Sequence, residues 1–370
     1  VENAAVRIVL GKRGYRVIGR RKQRGAPVAV LLIVAGSMLA CERLGCLGPW
    51  RSTQPDRITS ADSSGRAFFL DRPASADFRL MTYNVGWDSV FPSKDATRAE
   101  RFQRIVRAVA PDVLALQEIR QFDARETAAL LDEISPRPAG ERWHACRGKS
   151  GAVASRFPLI RAITRLDPPT YRDPVIALID LPDNRCAVDL CVVSNHFKCC
   201  GDANNDPIRQ KQADGVMNWL RDARTPGGEV DIPEHTAFVF AGDLNLVGGP
   251  QPLLTLLTGD ISDEALFGTD FAPDWDGTYL TDAHPLHNGS GPDDYTWRKD
   301  DSGFDPSRLD YVLYSDSVLE AVNQFVLNTI LMSEAELANS GLERFDCCHD
   351  SHGRELDHLP VVVDLRIRPR

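Results

Sequence analysis

Six short polar segments, each closing a strand-like apolar run, constrain this chain more than any other feature. They are Met81-Thr82-Tyr83-Asn84, Leu116-Gln117-Glu118, Ser194-Asn195-His196, Ala241-Gly242-Asp243-Leu244-Asn245, Arg308-Leu309-Asp310-Tyr311 and Leu356-Asp357-His358-Leu359-Pro360. In α/β proteins, loops at strand ends converge on one face of the sheet and carry the chemistry. Carboxylates, carboxamides and imidazoles placed there six times over point to a single metal-assisted phosphate site.

The elements between these segments follow from periodicity. The pattern predicts strands over 78–84, 112–117, 151–155, 175–180, 187–195, 236–242, 309–314 and 361–365, with one more near Trp143. Phe102, Ile105, Val106 and Val109 recur at helical spacing, so 96–110 reads as an amphipathic helix stopped at Pro111. Further helices are expected over 125–134, 207–220 with Pro207 in its first turn, and 252–257. Hairpin-like and helix-separated strands together suggest two packed sheets with helices outside.

Charge and cysteine content bear on compartment. The chain holds 43 Lys and Arg against 52 Asp and Glu, a net of −9. Eight of the bases and one acid fall in the first 40 residues, leaving −16 on the remainder. A domain that acidic has no general attraction for a polyanion, so nucleic acid is neither excluded nor favoured by the field. The basic Arg20-Arg21-Lys22-Gln23-Arg24 precedes an apolar run from Ala26 to Ala40, too short for a membrane span of ~20 residues and suited to an export signal. Its exit, Ser37-Met38-Leu39-Ala40-Cys41, resembles a bacterial lipoprotein box with Cys41 as the lipid-bearing residue, although Met38 stands where Leu is usual. Residues 1–41 are therefore read as a signal peptide of lipoprotein type, 42–76 as a flexible linker and 77–368 as the folded domain. The expected location is exported, either anchored to a membrane through Cys41 or secreted. Cys46, Cys146, Cys186, Cys191, Cys199, Cys200, Cys347 and Cys348 remain, an even number that fits disulfides in an oxidising compartment.

The ordered set Tyr83-Asn84, Gln117-Glu118, Ser155-Arg156-Phe157-Pro158, Asn195-His196, Gly242-Asp243-Leu244-Asn245, Thr296-Trp297, Arg308-Leu309-Asp310-Tyr311 and Asp357-His358-Leu359-Pro360 resembles the endonuclease/exonuclease/phosphatase superfamily. The resemblance spans roughly Phe78 to Leu365. It implies a four-layer α/β/β/α sandwich of the DNase I type, two mixed sheets packed face to face with helices outside. The activity it implies is metal-dependent hydrolysis of a phosphoester by water. The chain departs from the usual pattern at Leu356, where Ser often precedes the Asp-His pair, and at Ser194, where Thr is common.

Roles follow from chemistry and from the resemblance together. Glu118 is the first candidate metal ligand, since Mg²⁺ prefers one or two carboxylates, waters and phosphate oxygens; Mn²⁺ or Ca²⁺ would fit the same donors. Asn84 is expected beside it, and Asp357 in direct or water-mediated contact. The resemblance makes His358 the general base with Asp310 fixing its tautomer, a pairing a His base needs. It places His196 on the phosphate or leaving oxygen, Asn245 on the nucleophilic water, Asp243 on a proton donor or second ion, and Arg172 on phosphate. Trp297 is expected to contact substrate; Trp87 is expected either at a stacking rim or in the core.

The partner is a phosphate ester, with nucleic acid, phospholipid headgroups, phosphoinositides and small esters all open, and no protein partner is implied. A phosphomonoesterase, a phospholipid phosphodiesterase or a non-catalytic surface binding protein on the same fold are the alternatives. The acidic stretch from Gly259 to Asp294 reads as mostly a surface excursion near the pocket; its Asp282-Ala283 resembles a family segment just before Thr296-Trp297, which implies that its end returns to the core, and Asp270, Asp274 and Asp276 are weak Ca²⁺ candidates. Because Cys199-Cys200 follow His196 and Cys347-Cys348 precede His358, a shared site predicts at least one disulfide between the two pairs.

Overall fold

Long runs such as Val-Leu-Ala-Leu and Ala-Phe-Val-Phe can be fully buried only inside a sheet covered on both faces, and that is how the chain uses them. The computed structural model describes residues 7–11, 14–18 and 68–369, apart from Ala139, Ser150, Asp301 and residues 348–355. Strands β1 (Arg7–Gly11) and β2 (Gly14–Ile18) form an antiparallel hairpin that is a unit by itself. The apolar run 26–40, Cys41, Cys46 and most of the 42–76 linker lie outside the described residues. No helix among those described is long and apolar enough to cross a membrane.

The main unit runs β3 (Phe78–Asn84), α1 (Ala96–Val109), β4 (Val113–Gln117), α2 (Ala124–Ile134), β5 (His144–Arg147), β6 (Gly151–Ser155), β7 (Leu159–Ile163), β8 (Val175–Ile179), β9 (Leu190–His196) and α3 (Asp206–Ala223). It continues with β10 (Ala237–Asp243), α4 (Gln251–Thr258), α5 (Glu264–Phe267), β11 (Thr281–Asp282), β12 (Asp310–Tyr314), β13 (Leu319–Val326), α6 (Glu334–Ser340) and β14 (Val361–Ile367). Two six-stranded sheets result, ordered β13-β14-β3-β4-β6-β5 and β11-β12-β10-β9-β8-β7. Each is mixed: β3 and β4 are parallel in the first and β9 and β10 in the second, while the remaining neighbours are antiparallel. The expected four-layer sandwich is the observed fold.

Side-chain alternation shows the layering. Val175, Ala177 and Ile179 of β8, Val192 of β9 and Val239 and Ala241 of β10 join the core cluster with Leu80, Leu114 and Val153 of the first sheet. The intervening Ile176, Leu178, Val193, Phe238 and Phe240 are buried on the opposite face, the side of α3. Gly215 lets α3 approach closely, since a Cβ there would meet Thr170 Cγ2 at 2.6 Å, with Phe267 Cε1 at 3.5 Å. On the other flank α1 stacks Phe102 on Tyr83 with ring centroids 6.4 Å apart. Its ends obey local chemistry: Asp95 caps the Arg98 amide at 3.0 Å, and Ala110 turns left-handed before Pro111. Inside β3, Arg79 is tolerated because Asp364 of β14 takes it with two bonds of 2.6 and 2.7 Å, and the Leu70 and Val109 carbonyls accept from Nη1.

One expectation is refined here and another corrected. The end of the acidic stretch returns to the core as expected, through edge strand β11 and buried Leu280 and Ala283, but Ile261 and Phe267 near its start are buried as well. Within it Asp274 is buried and accepts from Ser317 N at 3.0 Å and from the Trp275 amide at 2.6 Å, so it fastens two loops and is not placed as a Ca²⁺ ligand. The expected disulfide between the two vicinal pairs is absent, because Cys199 and Cys200 are both unbridged thiols. Their loop turns back along α3, where Arg209 holds the Cys200 carbonyl at 3.1 Å, while Cys347 is buried with its amide directed at Thr329 Oγ1. Cys348 lies outside the described residues.

Candidate active site

Strand register assembles the site. Asp243 ends β10 opposite His196 on parallel β9 and opposite Asp310 on antiparallel β12, so three chemical side chains stand in one row. Gly242 makes this row possible. Its φ is +132°, and a Cβ there would lie 2.0 Å from the Asn195 carbonyl oxygen. In the other sheet Asn84 pairs with Gln117 at the ends of β3 and β4. Glu118 follows with φ +67° and Asn245 with φ +47°. A non-glycine residue held at positive φ costs on the order of 1 kcal/mol or more, and such strain clusters where function fixes a side chain.

Asn84 donates to Asp243 Oδ2 at 3.0 Å and reaches Glu118 Oε1 at 3.5 Å, while its own oxygen accepts from Gly86 N at 3.1 Å. Glu118 Oε2 accepts from Trp87 N at 3.0 Å, and Oε1 lies 3.8 Å from His196 Nε2. His196 Nε2 is also 3.8 Å from Asp243 Oδ2 and 2.9 Å from Arg172 Nη1. Since a guanidinium only donates, Nε2 accepts from Arg172 in this arrangement. Asn245 caps its own strand end, its amide N donating to Asp243 Oδ1 at 2.9 Å and its side chain to Phe197 O at 3.3 Å.

His358 Nδ1 is 2.8 Å from Asp310 Oδ2, and Nε2 is 3.7 Å from Asp243 Oδ2. Thr296 completes the dyad: its hydroxyl donates to Asp310 Oδ2 at 2.7 Å and accepts from Leu309 N and Asp310 N at 2.9 and 2.8 Å. Burial works against charge on His358, but the Asp310 and Asp243 carboxylates outweigh it and push the imidazole up to about 10. Burial, reinforced by Asp310 and opposed by His358, raises Asp243 to about 7. Both groups therefore hold a proton to higher pH than an isolated imidazole and carboxylate would.

The structure thus brings together Asn84, Glu118, Arg172, His196, Asp243, Asn245, Asp310 and His358. Asp357 and Trp297 sit next to them, the Trp297 indole donating to Asp357 Oδ2 at 3.1 Å. Trp297 also pairs along the backbone with His358, so this couple braces the His358 strand end. Trp87 is no core residue: left-handed φ values at Gly86, Trp87 and Asp88 turn its ring outward, 64% exposed, with the Arg120 guanidinium 3.3 Å above it.

Three bracing residues were not singled out from the sequence. Thr296 was visible as part of Thr296-Trp297. Asp88, which accepts from Arg120 N at 2.7 Å and Gln121 N at 3.2 Å, had no signal beyond its place four residues after Asn84. Gln212, which donates to the His196 and Arg172 carbonyls at 3.3 and 3.1 Å, had none, because it comes from the middle of α3.

The donors fit a divalent cation. Glu118 Oε1 has only long contacts at 3.5 and 3.8 Å, leaving lone pairs for a ligand. Asp243, Asp310 and His358 offer ligand atoms within 4.8 Å of one another, all buried. Buried Asp310 Oδ1 has no hydrogen-bond partner among the described residues, an arrangement that costs free energy unless a water or an ion occupies the space.

No protein with a curated description matches the sequence. Among solved structures, ANGEL2, a 2',3'-cyclic phosphatase in complex with adenosine-2',3'-vanadate, matches at TM-score 0.50 and 16% identity, covering 78% of this chain and 95% of that one. The human nocturnin catalytic domain with bound sulfate matches at TM-score 0.48 and 16% identity, covering 79% and 94%. An endonuclease/exonuclease/phosphatase from Beutenbergia cavernae matches at TM-score 0.46 and 20% identity, covering 78% and 71%. The family model for endonuclease/exonuclease/phosphatase proteins matches residues 81–331. With that match over most of the folded unit and the Asn84, Glu118, His196, Asp243, Asp310 and His358 constellation at the junction of its two sheets, the chain belongs to the endonuclease/exonuclease/phosphatase family.

Proposed function

We propose that the protein is a metal-dependent phosphodiesterase in which water attacks phosphorus in line. The observation that carries this reading is the His358–Asp310 contact of 2.8 Å beside buried Asp243, within a row that also holds His196 and Glu118. Glu118, with Asn84 at its side, and Asp243 would hold the cation. When bound, a divalent cation supplies positive charge against the developing phosphoryl charge and relieves His358 of its second carboxylate. His358 then takes the proton of the attacking water, Asp310 keeps Nδ1 protonated and oriented, and Thr296 keeps Asp310 in place. Asn245 positions the water. Arg172 and His196 meet the phosphate oxygens and the leaving group. The exposed Trp87 ring flanks this site and offers a flat face to a planar substrate group.

The test is a substrate panel with Mg²⁺, Mn²⁺ and Ca²⁺, comprising bis(p-nitrophenyl) phosphate, a monoester, single- and double-stranded DNA, RNA, sphingomyelin and inositol phosphates. Cleavage of a diester that stops in excess EDTA and in His358→Ala and Glu118→Ala is expected. Full turnover in EDTA, or an active His358→Ala protein, refutes the mechanism. Preference for the monoester redirects the reading to a phosphatase, and folded protein inert on every substrate redirects it to a binding role.

A further inference from the structure

The segment from Phe197 to Gly201 leaves β9 directly after His196, and its backbone is wired into the site. The Phe197 carbonyl accepts from Arg172 Nη1 and from Asn245 Nδ2, both at 3.3 Å. Lys198 N donates to Gln212 Oε1 at 2.8 Å. Arg209 Nη1, from a nearly fully buried side chain, donates to the Lys198 and Cys200 carbonyls at 2.8 and 3.1 Å. Two adjacent cysteines stand on this segment. Their sulfurs are 2.8 Å apart, Lys198 Nζ is 3.7 Å from Cys199 Sγ, and Cys200 holds φ +79°. Cys199 is half-buried and Cys200 exposed, whereas Cys146, Cys186, Cys191 and Cys347 are buried.

We propose that Cys199 and Cys200 form a reversible oxidation site, a vicinal dithiol that low-molecular-weight disulfides convert to a bridge between neighbours, and that closure re-aims the Phe197 carbonyl away from Arg172 and Asn245. Adjacent Cα atoms across a trans peptide lie about 3.8 Å apart. Unstrained disulfides span about 4.4–6.8 Å, so closing this one must twist the 199–200 peptide. Arg209 grips the carbonyls on both sides of the pair, so the twist passes to Lys198 and Phe197 instead of dissipating at the loop tip. A strained, exposed bridge is also readily reduced, the behaviour of a labile disulfide and not of a structural one.

The chemistry balances with a disulfide oxidant. The Cys199 thiolate attacks one sulfur of glutathione disulfide, whose S–S bond breaks to release one glutathione thiolate and leave a mixed disulfide. The Cys200 thiolate then attacks the Cys199 sulfur, forming the vicinal bridge and releasing the second glutathione. The two protein thiol protons end on the two glutathiones, and the oxidant takes up two electrons. Lys198 stands beside the sulfur that carries negative charge in the first step.

The consequence for turnover rests on the phosphodiesterase reading, so the experiment separates the two. The full chain is treated with glutathione disulfide and then with dithiothreitol. Mass spectrometry follows the tryptic peptide of residues 199–209, and amide hydrogen exchange follows residues 170–173 and 243–247. The peptide should lose two hydrogens and regain them on reduction. Exchange at both segments should rise severalfold on oxidation in the wild type, and remain unchanged in Cys199→Ser and Cys200→Ser. A peptide that stays a dithiol, stops at the glutathione adduct, or links to another peptide overturns the site. Bridge formation without a change in exchange overturns the coupling. Diester cleavage should fall and recover with the same treatments. A reduced protein that cleaves no diester refutes the functional reading, while mass and exchange still decide the dithiol.

Discussion

Replacing Thr296 with Val tests how the proposed His358–Asp310 dyad is held, because Val keeps the shape and puts a methyl in place of the hydroxyl. That hydroxyl makes three bonds: one to Asp310 Oδ2 at 2.7 Å and two from the Leu309 and Asp310 amides at 2.9 and 2.8 Å, all in a fully buried position. A hydrogen bond to a charged group contributes about 1.5–3 kcal/mol and a neutral one about 1 kcal/mol. The three together give about 3.5–5 kcal/mol, a large share of the ~5–15 kcal/mol that a domain has in hand. No cavity term enters, since the volumes match. Asp310 would also lose the group that sets its angle to His358, and misplacement by about 1 Å can cost ~10²-fold in rate. Urea unfolding of wild type, Thr296→Val and Thr296→Ser, together with kcat on the best diester of the panel, measures both. Thr296→Ser should recover most of the stability and bring the rate within several-fold of wild type. A Thr296→Val protein within 1 kcal/mol of wild type, or a Thr296→Ser protein as slow as it, refutes the argument.

Asp364→Asn leaves the buried Arg79 guanidinium without its counter-charge and with one acceptor in place of two, and unfolding should show a loss of about 3–5 kcal/mol; a neutral result would mean that the remaining acceptors of Arg79 suffice. His287 is fully buried against the Tyr295 carbonyl, and burial lowers its affinity for a proton below the ordinary value of 6.5. Below that value the unfolded chain takes up a proton that the folded chain resists. Its share of stability is therefore present above the unfolded value and lost as pH falls through the depressed one. Urea midpoints between pH 7.5 and 5 should fall more steeply in wild type than in His287→Gln, and parallel curves would assign the effect elsewhere. Export and anchoring through Cys41 remain a proposal: expressed in a bacterium, the wild type should partition into detergent and Cys41→Ser into the aqueous phase, and equal partitioning would remove the lipid from the account.

What the sequence by itself determined was local. β3 and β6 have the boundaries read from pattern, and α1 and β4 differ by one residue at an end, because full burial writes itself as an unbroken apolar run and helix ends carry their own caps. The residues of the site were legible for the same reason, since Asn84, Glu118, His196 and Asp243 stand where such a run ends; Asp310 and His358 stand instead where one begins, because β12 and β14 run antiparallel to their neighbours. β7 and β13 were not, because they lie at sheet edges, half-exposed, where sequences such as Leu-Ile-Arg-Ala-Ile and Leu-Glu-Ala-Val-Asn-Gln lose a clean period. Only the tertiary structure decided which groups face each other. Sheet register placed Asp243 between His196 and Asp310, three left-handed residues turned Trp87 out of the core, and the turn along α3 left Cys199 and Cys200 as thiols. Each outcome depends on chain paths set by residues tens to hundreds of positions away, a separation that periodicity and motif spacing do not encode.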